Sequence, residues 1–254
     1  MKQLLLKIYY WPCLSQARID ENQKKIRDKE WEEVKEYIQP ESKLLDVGCG
    51  AGYNLIKAQE ELNCNCFGVD PDPGGHGVGR YDYQESKELN IQQGFAESIP
   101  FEDNTFDVLI CSHVLEHVND KSKSLQEINR VLKDNGILII GMPTAAMSWV
   151  NLLTQWLFTT HMRFTNFFLS PFINAGKIKF KHLFFPPSHS YSDKTVLYDI
   201  KNYQVKKWKD IVASEFRITN TLQPYFYPYP EYLQLFKIHK SSKWSSSVFF
   251  ICKK

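Results

Sequence analysis

Short apolar runs alternate with amphipathic stretches through the first 141 residues of the chain. Five runs rich in apolar residues predict β-strands: Lys43–Val47, Cys64–Val69, Ile91–Gly94, Asp107–Cys111 and Gly136–Gly141. Apolar residues at helical spacing predict one or two helices over residues 16–39 and further helices at Tyr53–Leu62 and Ser122–Leu132. Apolar strands that alternate with helices are typical of a parallel sheet covered on both faces. The pattern therefore predicts a doubly wound α/β domain with ligands at the carboxyl ends of its strands.

The pattern changes after Pro143, where aromatic residues become dense. Ten residues between Trp149 and Phe185 are Phe or Trp, and Arg163 and three lysines are interleaved among them. This insertion could be extra core, a lid over a substrate, or an element that lies on a membrane surface. Regular patterns then return as a helix at Val205–Ser214 and strands at Phe216–Leu222 and Ser247–Cys252. We therefore expect a mostly parallel, seven-stranded sheet with an aromatic-rich inserted lid.

Composition and charge narrow the class of protein. The 254 residues are 43% hydrophobic and 24% charged, which excludes an intrinsically disordered chain. The net charge of +2 divides into +1 over residues 1–40, −9 over residues 41–140 and +10 over residues 141–254. The basic half indicates an anionic partner, such as an acidic lipid surface or a phosphorylated substrate. Nucleic acid is disfavoured because the basic residues are scattered and no recognition motif accompanies them.

Cysteine usage and two apolar segments bear on the compartment. The six cysteines form no Cys-x-x-Cys pair, which is typical of reduced thiols in a cytosolic protein rather than of disulfides or a zinc site. The apolar residues 1–15 are interrupted by Lys7, so we expect no secretory signal. The stretch Ala145–Thr160 is shorter than the ~20 residues of a spanning helix. We expect a cytoplasmic protein, with peripheral membrane contact as an open alternative.

A glycine-rich turn after the first predicted strand is the sharpest local feature. Its sequence is Asp46-x-Gly48-x-Gly50-x-Gly52, followed by the predicted helix. Glycines let the backbone turn tightly and approach a ligand, and a helix N-terminus offers free N–H groups. Asp70 ends the second predicted strand, where an acidic residue can accept hydrogen bonds from ribose hydroxyls. A glycine-rich turn alone also fits an NAD site or a tight strand–helix connection.

Two further segments follow in order, Gly94–Val118 and Glu127–Thr144. Together with the glycine turn and Asp70, these four motifs resemble those of class I S-adenosylmethionine-dependent methyltransferases of the type 11 group. The resemblance covers about residues 41–144 and implies a Rossmann-like fold with S-adenosyl-L-methionine as cofactor. Together with the residue pattern, it leads us to expect an N-terminal helical cap, a cofactor-binding half, the aromatic lid and a half that completes the sheet, over residues 1–40, 41–144, 145–190 and 191–254.

The same resemblance implies roles for individual residues. The glycines would cradle the methionine part of the cofactor, Asp46 would hold its amino group and Asp70 would bind its ribose. The implied cofactor-binding set is Asp46, Gly48, Cys49, Gly50, Gly52, Asp70, Pro71, Phe95, Ala96, Glu97, Ser112 and His113. Phe95 stands where the family commonly has an acidic residue, so we expect Phe95 to stack on the adenine or Glu97 to replace that contact. The glycine-rich residues 74–79 stand where the family usually begins a helix.

Histidines near the fourth strand are candidates for chemistry. His113 is the candidate catalytic base because an imidazole ionises near neutrality, although methyl transfer often needs only orientation and desolvation. On a helix, His113, Glu116 and His117 would share a face and could bind a metal. The pattern resembles the Glu-x-x-Glu-His of metal-assisted methyltransferases, but it is also ordinary for type 11 enzymes without metal. We expect no metal and leave a metal site as the alternative.

Two histidines lie near the end of the aromatic insertion. We expect His182 and His189 to precede a turn capped by Ser192 or Asp193, which would start a helix. The alternative is that one of them is a base facing the substrate.

The most concrete function is O-methylation of a small, glycan or lipid-linked acceptor. The alternatives are a non-catalytic nucleoside-binding or scaffold protein of the same fold, and an NAD-dependent oxidoreductase, which Asp46 disfavours. The sequence indicates no oligomeric state.

Overall fold

A computed structural model describes residues 15–78, 89–169, 179–233, 237–241 and 243–254 of the chain. Its centre is a sheet of seven strands: β1 (Lys43–Val47), β2 (Asn65–Asp70), β3 (Asn90–Gln93), β4 (Phe106–Ser112), β5 (Leu132–Pro143), β6 (Arg217–Leu222) and β9 (Ser247–Lys253). Their order is β3-β2-β1-β4-β5-β9-β6, and β9 alone runs opposite to the other six. Two short strands, β7 (Tyr225–Phe226) and β8 (His239–Lys240), form a separate hairpin. The prediction of a mostly parallel, seven-stranded α/β fold is confirmed.

Helices cover both faces of this sheet. They are α1 (Gln16–Val34), α2 (Tyr53–Leu62), α3 (Lys121–Val131), α4 (Ala145–Leu169), α5 (Lys181–Phe184), α6 (Val196–Asn202) and α7 (Val205–Val212). Successive strand residues point to opposite faces, so Leu44 and Leu45 enter two different cores. Leu44 packs with Trp31 of α1 and Leu55 of α2, whereas Leu45 packs with Leu125 of α3. The helical prediction for residues 16–39 is met by α1 and a short 3₁₀ turn, Lys35–Tyr37.

The segment before α6 departs from its prediction. The helix begins at Val196, not at Ser192 or Asp193, and Thr195 precedes it without a side-chain cap. The reason is backbone pairing: Ser188 N–H donates to the Lys194 carbonyl, and Val196 N–H donates to the carbonyl of Pro186. Residues 186–195 therefore fold back on themselves before the helix starts.

The segment after β4 does not form the helix on which a shared face of His113, Glu116 and His117 would depend. Residues 113–118 form a turn rather than a helix, since His113 adopts a left-handed backbone with φ of 57°. The geometry of a shared helix face therefore does not apply to His113, Glu116 and His117.

The cysteines in the described ranges are Cys49, Cys64, Cys66, Cys111 and Cys252, and all five are free thiols.

The apolar stretch Ala145–Thr160 belongs to the longer helix α4. Within the described ranges no helix combines the length and apolarity needed to cross a bilayer. The expectations for residues 1–14, including Cys13, and for residues 79–88 and 170–178 lie outside the described residues. The proposed domain boundaries stay a prediction.

Candidate functional site

The glycine turn between β1 and α2 has a backbone that other residues would strain. Gly48, Gly50 and Gly52 have φ values of 74°, 54° and 85°, and Gly52 is the N-cap of α2. A Cβ atom on Gly48 would lie 2.2 Å from Val114 Cγ2, and one on Gly50 would lie 2.7 Å from the carbonyl oxygen of His76. The turn therefore needs glycine for both conformation and space.

Two buried carboxylates lie at the carboxyl ends of β1 and β2. Asp46 Oδ2 accepts a hydrogen bond of 3.1 Å from Asn54 Nδ2. Burial raises the pKa of Asp46 to about 7, and the neighbouring Asp70 adds to the rise while the Asn54 hydrogen bond opposes it. Asp70 accepts backbone N–H bonds of 2.8 Å from Gly50 and from Asp72. Asp70 thus holds the glycine turn in place, and a carboxylate can accept further bonds from a ligand.

A cleft of about 230 Å³ opens beside this turn. It brings together five of the predicted cofactor residues, namely Gly48, Pro71, Phe95, Ala96 and Glu97. Its remaining lining is mostly apolar: Val47, Val69, Gly94, Val114, His117, Val118 and Asn119. Phe95 is 60% exposed, and Glu97 accepts a hydrogen bond of 3.1 Å from the Asn119 N–H. Apolar walls with a few polar groups suit a flat aromatic base.

The other predicted cofactor residues do not line this cleft. Asp46, Cys49, Gly50, Gly52, Asp70, Ser112 and His113 are absent from its walls. Cys49 is buried, and its sulfur lies against Gly68 of β2. A Cys49 contact with a ligand could therefore come only from its backbone.

A second group of side chains, the polar cluster, lies around His113 and consists of Arg27, Glu30, Glu116, His117, His189, Tyr227, Tyr229 and Ser247. His113 N–H donates to the Gly141 carbonyl over 2.8 Å, which places the ring beyond the end of β4. Its Nε2 lies 3.8 Å from Glu30 Oε1, and its Nδ1 lies 3.7 Å from Glu116 Oε1. Burial lowers the pKa of His113, and the positive charge of Arg27 lowers it further. The imidazole is therefore favoured in its neutral form.

Glu30 of α1 lies at the centre of this group. Its carboxylate pairs with Arg27 over 2.5 Å and accepts hydrogen bonds from the Tyr227 and Ser247 hydroxyls. Arg27 and His113 hold the pKa of Glu30 far below its usual range although the group is buried. Glu30 therefore stays ionised beside the neutral His113.

Glu116 is the least satisfied group of the site. Its side chain is buried, and neither carboxylate oxygen has a hydrogen-bond partner among the residues that the structure describes. Burial raises the pKa of Glu116 to about 8. Its Oε1 lies 3.9 Å from His117 Nε2, and the rings of His117 and His189 are 5.2 Å apart. His189 Nδ1 in turn lies 3.1 Å from the Tyr229 hydroxyl.

Glu30, Tyr227 and Tyr229 are not among the predicted site residues. Glu30 lies in a charged amphipathic helix, and the tyrosines lie in a Pro-aromatic loop that could stack on a sugar ring or a base but is more often a packing element. His182 is buried on α5, where its Nδ1 lies 3.3 Å from the Phe185 carbonyl oxygen, whereas His189 joins the cluster at Glu116.

Comparison with known proteins adds family information. Residues 45–140 match a family described as a methyltransferase domain. Ajmaline N-methyltransferase of Rauvolfia serpentina is 32% identical over 108 residues, which are 40% of this chain and 37% of that protein. The ubiquinone biosynthesis O-methyltransferase of Azorhizobium caulinodans is 32% identical over 99 residues, 39% of each protein. The chain thus spans about two fifths of the length of these relatives.

Solved structures extend the likeness to the whole fold. A SAM-dependent methyltransferase from Aquifex aeolicus superposes with a TM-score of 0.51 at 15% identity, covering 92% of this chain and 97% of that one. At this identity the likeness concerns the fold alone. Residues 45–140 therefore match a methyltransferase domain in sequence, and the chain shares its fold with a solved SAM-dependent methyltransferase.

Proposed function

We propose that the protein transfers a methyl group from S-adenosylmethionine to a hydroxyl oxygen of an acceptor. The observation that carries the proposal is the position of His117, which lines the cleft and also lies beside Glu116 in the polar cluster. The cleft and the polar cluster are therefore adjacent, as a cofactor site and an acceptor site must be. Of the two named relatives, one is an N-methyltransferase and the other is an O-methyltransferase. The proposal that oxygen is methylated therefore rests on the polar cluster.

The residues present fit the cofactor that the family implies. The apolar cleft suits adenine, and the strained glycine turn leaves the space that a Cβ would fill. Asp46 offers a buried carboxylate for the amino group, and this cofactor carries no phosphate that the carboxylate would repel. When bound, S-adenosylmethionine supplies a methyl group activated by a sulfonium.

The polar cluster contains a base that can remove the proton of the acceptor hydroxyl. The acceptor oxygen forms a bond to the methyl carbon while the carbon–sulfur bond breaks and leaves its electron pair on sulfur. We assign His113 as the base that takes the hydroxyl proton, because its ring is favoured neutral. The ionised Glu30, whose Oε1 lies 3.8 Å from His113 Nε2, would stabilise the imidazolium that forms.

Binding and turnover test this proposal separately. Calorimetric titration with S-adenosylhomocysteine should show binding that Asp70→Ala abolishes and the matched variant Asp72→Ala retains, since Asp72 is exposed. Thermal unfolding of both variants checks that they fold. In a screen of hydroxylated acceptors with radiolabelled S-adenosylmethionine, His113→Gln should lower turnover by about 10²–10⁴ and leave S-adenosylhomocysteine affinity unchanged. Folded wild-type protein that binds no S-adenosylhomocysteine would instead support the non-catalytic scaffold.

We further propose that the acceptor is lipid-linked and that α4 lies on the membrane surface. The distribution of polar and apolar residues on α4 is the reverse of that on an ordinary surface helix. Its exposed side carries large apolar residues, each more than half exposed: Trp149, Leu153, Trp156 and Leu157. Its buried side carries polar residues, Ser148, Asn151 and Thr154. Exposed Lys179 and Lys181 flank the exposed Phe180, and cationic and aromatic residues together suit an anionic interface.

Vesicle binding tests the membrane proposal. The protein should sediment with vesicles that contain anionic lipid, and Leu153→Gln/Trp156→Gln should lower its partition coefficient at least tenfold, because a buried large apolar side chain is worth about 1.5–3 kcal/mol. Ile56→Gln on α2 is the matched control, since Ile56 is an exposed apolar residue of another helix. Equal partitioning of the double variant and the control would contradict this role for α4. The cytoplasmic location predicted from the sequence stays a prediction.

A further inference from the structure

We propose that Glu116, His117 and His189 bind a divalent metal ion that holds the acceptor oxygen. The inference rests on the proposed methyl transfer and specifies how its acceptor is bound. The sequence pattern favoured no metal, but it could not show that His189 lies beside Glu116 and His117. In the structure each of the three residues offers one ligand atom, and these atoms lie within 4.8 Å of one another.

The unpartnered carboxylate of Glu116 is an independent sign of a ligand. Glu116 is only 1% exposed, and within the described part of the chain both of its oxygens lack hydrogen-bond partners. A buried polar group without partners is costly, and buried charges in proteins are usually paired or coordinate metals. Its Oε1 is directed toward the histidines, 3.9 Å from His117 Nε2. A cation between these atoms would supply the missing partner.

The site is accessible to solvent, and hydrogen bonds fix the position of His189. His117 and His189 are exposed, so an ion can enter from solvent. The Tyr229 hydroxyl lies 3.1 Å from His189 Nδ1, which leaves His189 Nε2 for the metal. Asp199 anchors the segment that carries His189, because its carboxylate accepts the His189 N–H over 2.8 Å and the Ser188 hydroxyl over 2.5 Å.

The donor set indicates the kind of ion and its role. Two imidazoles and one carboxylate suit Zn²⁺ and other first-row divalent ions, and three protein ligands leave coordination positions open. An acceptor hydroxyl in an open position would lose its proton more easily, as metal-bound water does. The proton would pass to His113, whose Nδ1 lies 3.7 Å from Glu116 Oε1. The acceptor class is therefore a compound with an oxygen able to coordinate the ion beside the methylated hydroxyl.

Cobalt binding tests this site without measuring turnover. Protein without a histidine tag is stripped with EDTA and titrated with Co²⁺, while its visible d–d absorption and the heat of binding are recorded. One Co²⁺ should bind to the wild type, and both His189→Gln and Glu116→Gln should weaken binding at least tenfold. His239→Gln is the matched control, since His239 lies on the exposed hairpin strand β8, and should bind Co²⁺ like the wild type.

Two results would overturn the proposed metal site. Wild-type protein without protein-dependent d–d bands would overturn the proposal, and so would unchanged Co²⁺ affinity in His189→Gln, a variant of an exposed loop residue. Titration with S-adenosylhomocysteine on the same preparations separates the two proposals. Retained S-adenosylhomocysteine binding without Co²⁺ binding would refute the metal site alone, whereas loss of both would refute the methyltransferase function as well.

Discussion

The buried carboxylate of Asp46 should make cofactor affinity depend on pH. Asp46 has a pKa of about 7, because burial and the nearby Asp70 disfavour its charge more than Asn54 and Arg27 favour it. The amino group that Asp46 is proposed to hold is positive, so it binds the ionised carboxylate. Below pH 7 a proton must leave Asp46 before the ligand binds, and affinity falls as pH falls. Above pH 7 affinity is constant.

The magnitude follows from this pKa. Affinity should fall tenfold for each pH unit below 7, or about 100-fold at pH 5, which is about 2.7 kcal/mol. Calorimetric titration with S-adenosylhomocysteine from pH 8 to pH 5 measures the slope. Repeating it near pH 6 in two buffers of different ionisation enthalpy counts the released proton, which should approach one.

Two variants isolate the source of this pH dependence. Asp46→Asn should bind more weakly at pH 8 and lose the slope, because the amide cannot ionise. His76→Gln should keep the slope, and it controls for the imidazole whose Nε2 lies 3.4 Å from Asp70 Oδ2. A flat profile in the wild type, or an unchanged slope in Asp46→Asn, would refute the reasoning.

Three further predictions concern the framework around the site. Gly50→Ala should abolish S-adenosylhomocysteine binding and lower the free energy of unfolding by about 1–2 kcal/mol or more. The backbone at this position is left-handed, and the added Cβ atom would meet the His76 carbonyl oxygen; native-like affinity would contradict this. Arg130→Met should cost about 2–4 kcal/mol in urea unfolding, since the guanidinium donates to two backbone carbonyls and two carboxylates, and a loss below 1 kcal/mol would count against that network. Trp208→Phe should cost about 1–3 kcal/mol by leaving the buried Pro143 carbonyl, 2.9 Å from Trp208 Nε1, without its donor; unchanged unfolding would show that another group replaces it.

Local signals predicted the strand, the glycine turn and the helix around Asp46 well. The turn from Asp46 to Gly52 and the helix Tyr53–Leu62 lie in one continuous segment, where strand, glycine and helix patterns agree. The polar cluster could not be predicted in this way, because Glu30 and Ser247 are 217 positions apart and meet only through sheet topology. A shared helix face at His113, which the metal alternative assumed, does not form for a local reason, a left-handed φ in a residue other than glycine.

The position of β9 has a consequence for the order in which the protein is made. The cleft uses residues 47–119, but β9, which fills the place between β5 and β6, is translated last among the strands. Until β9 is synthesised, the edge of the twelve-residue β5 has no partner strand and invites pairing with other chains. Glu30 also lacks its Ser247 and Tyr227 partners during that interval. A nascent chain would therefore complete its cofactor cleft first and its acceptor side last, with its central sheet open to aggregation in between.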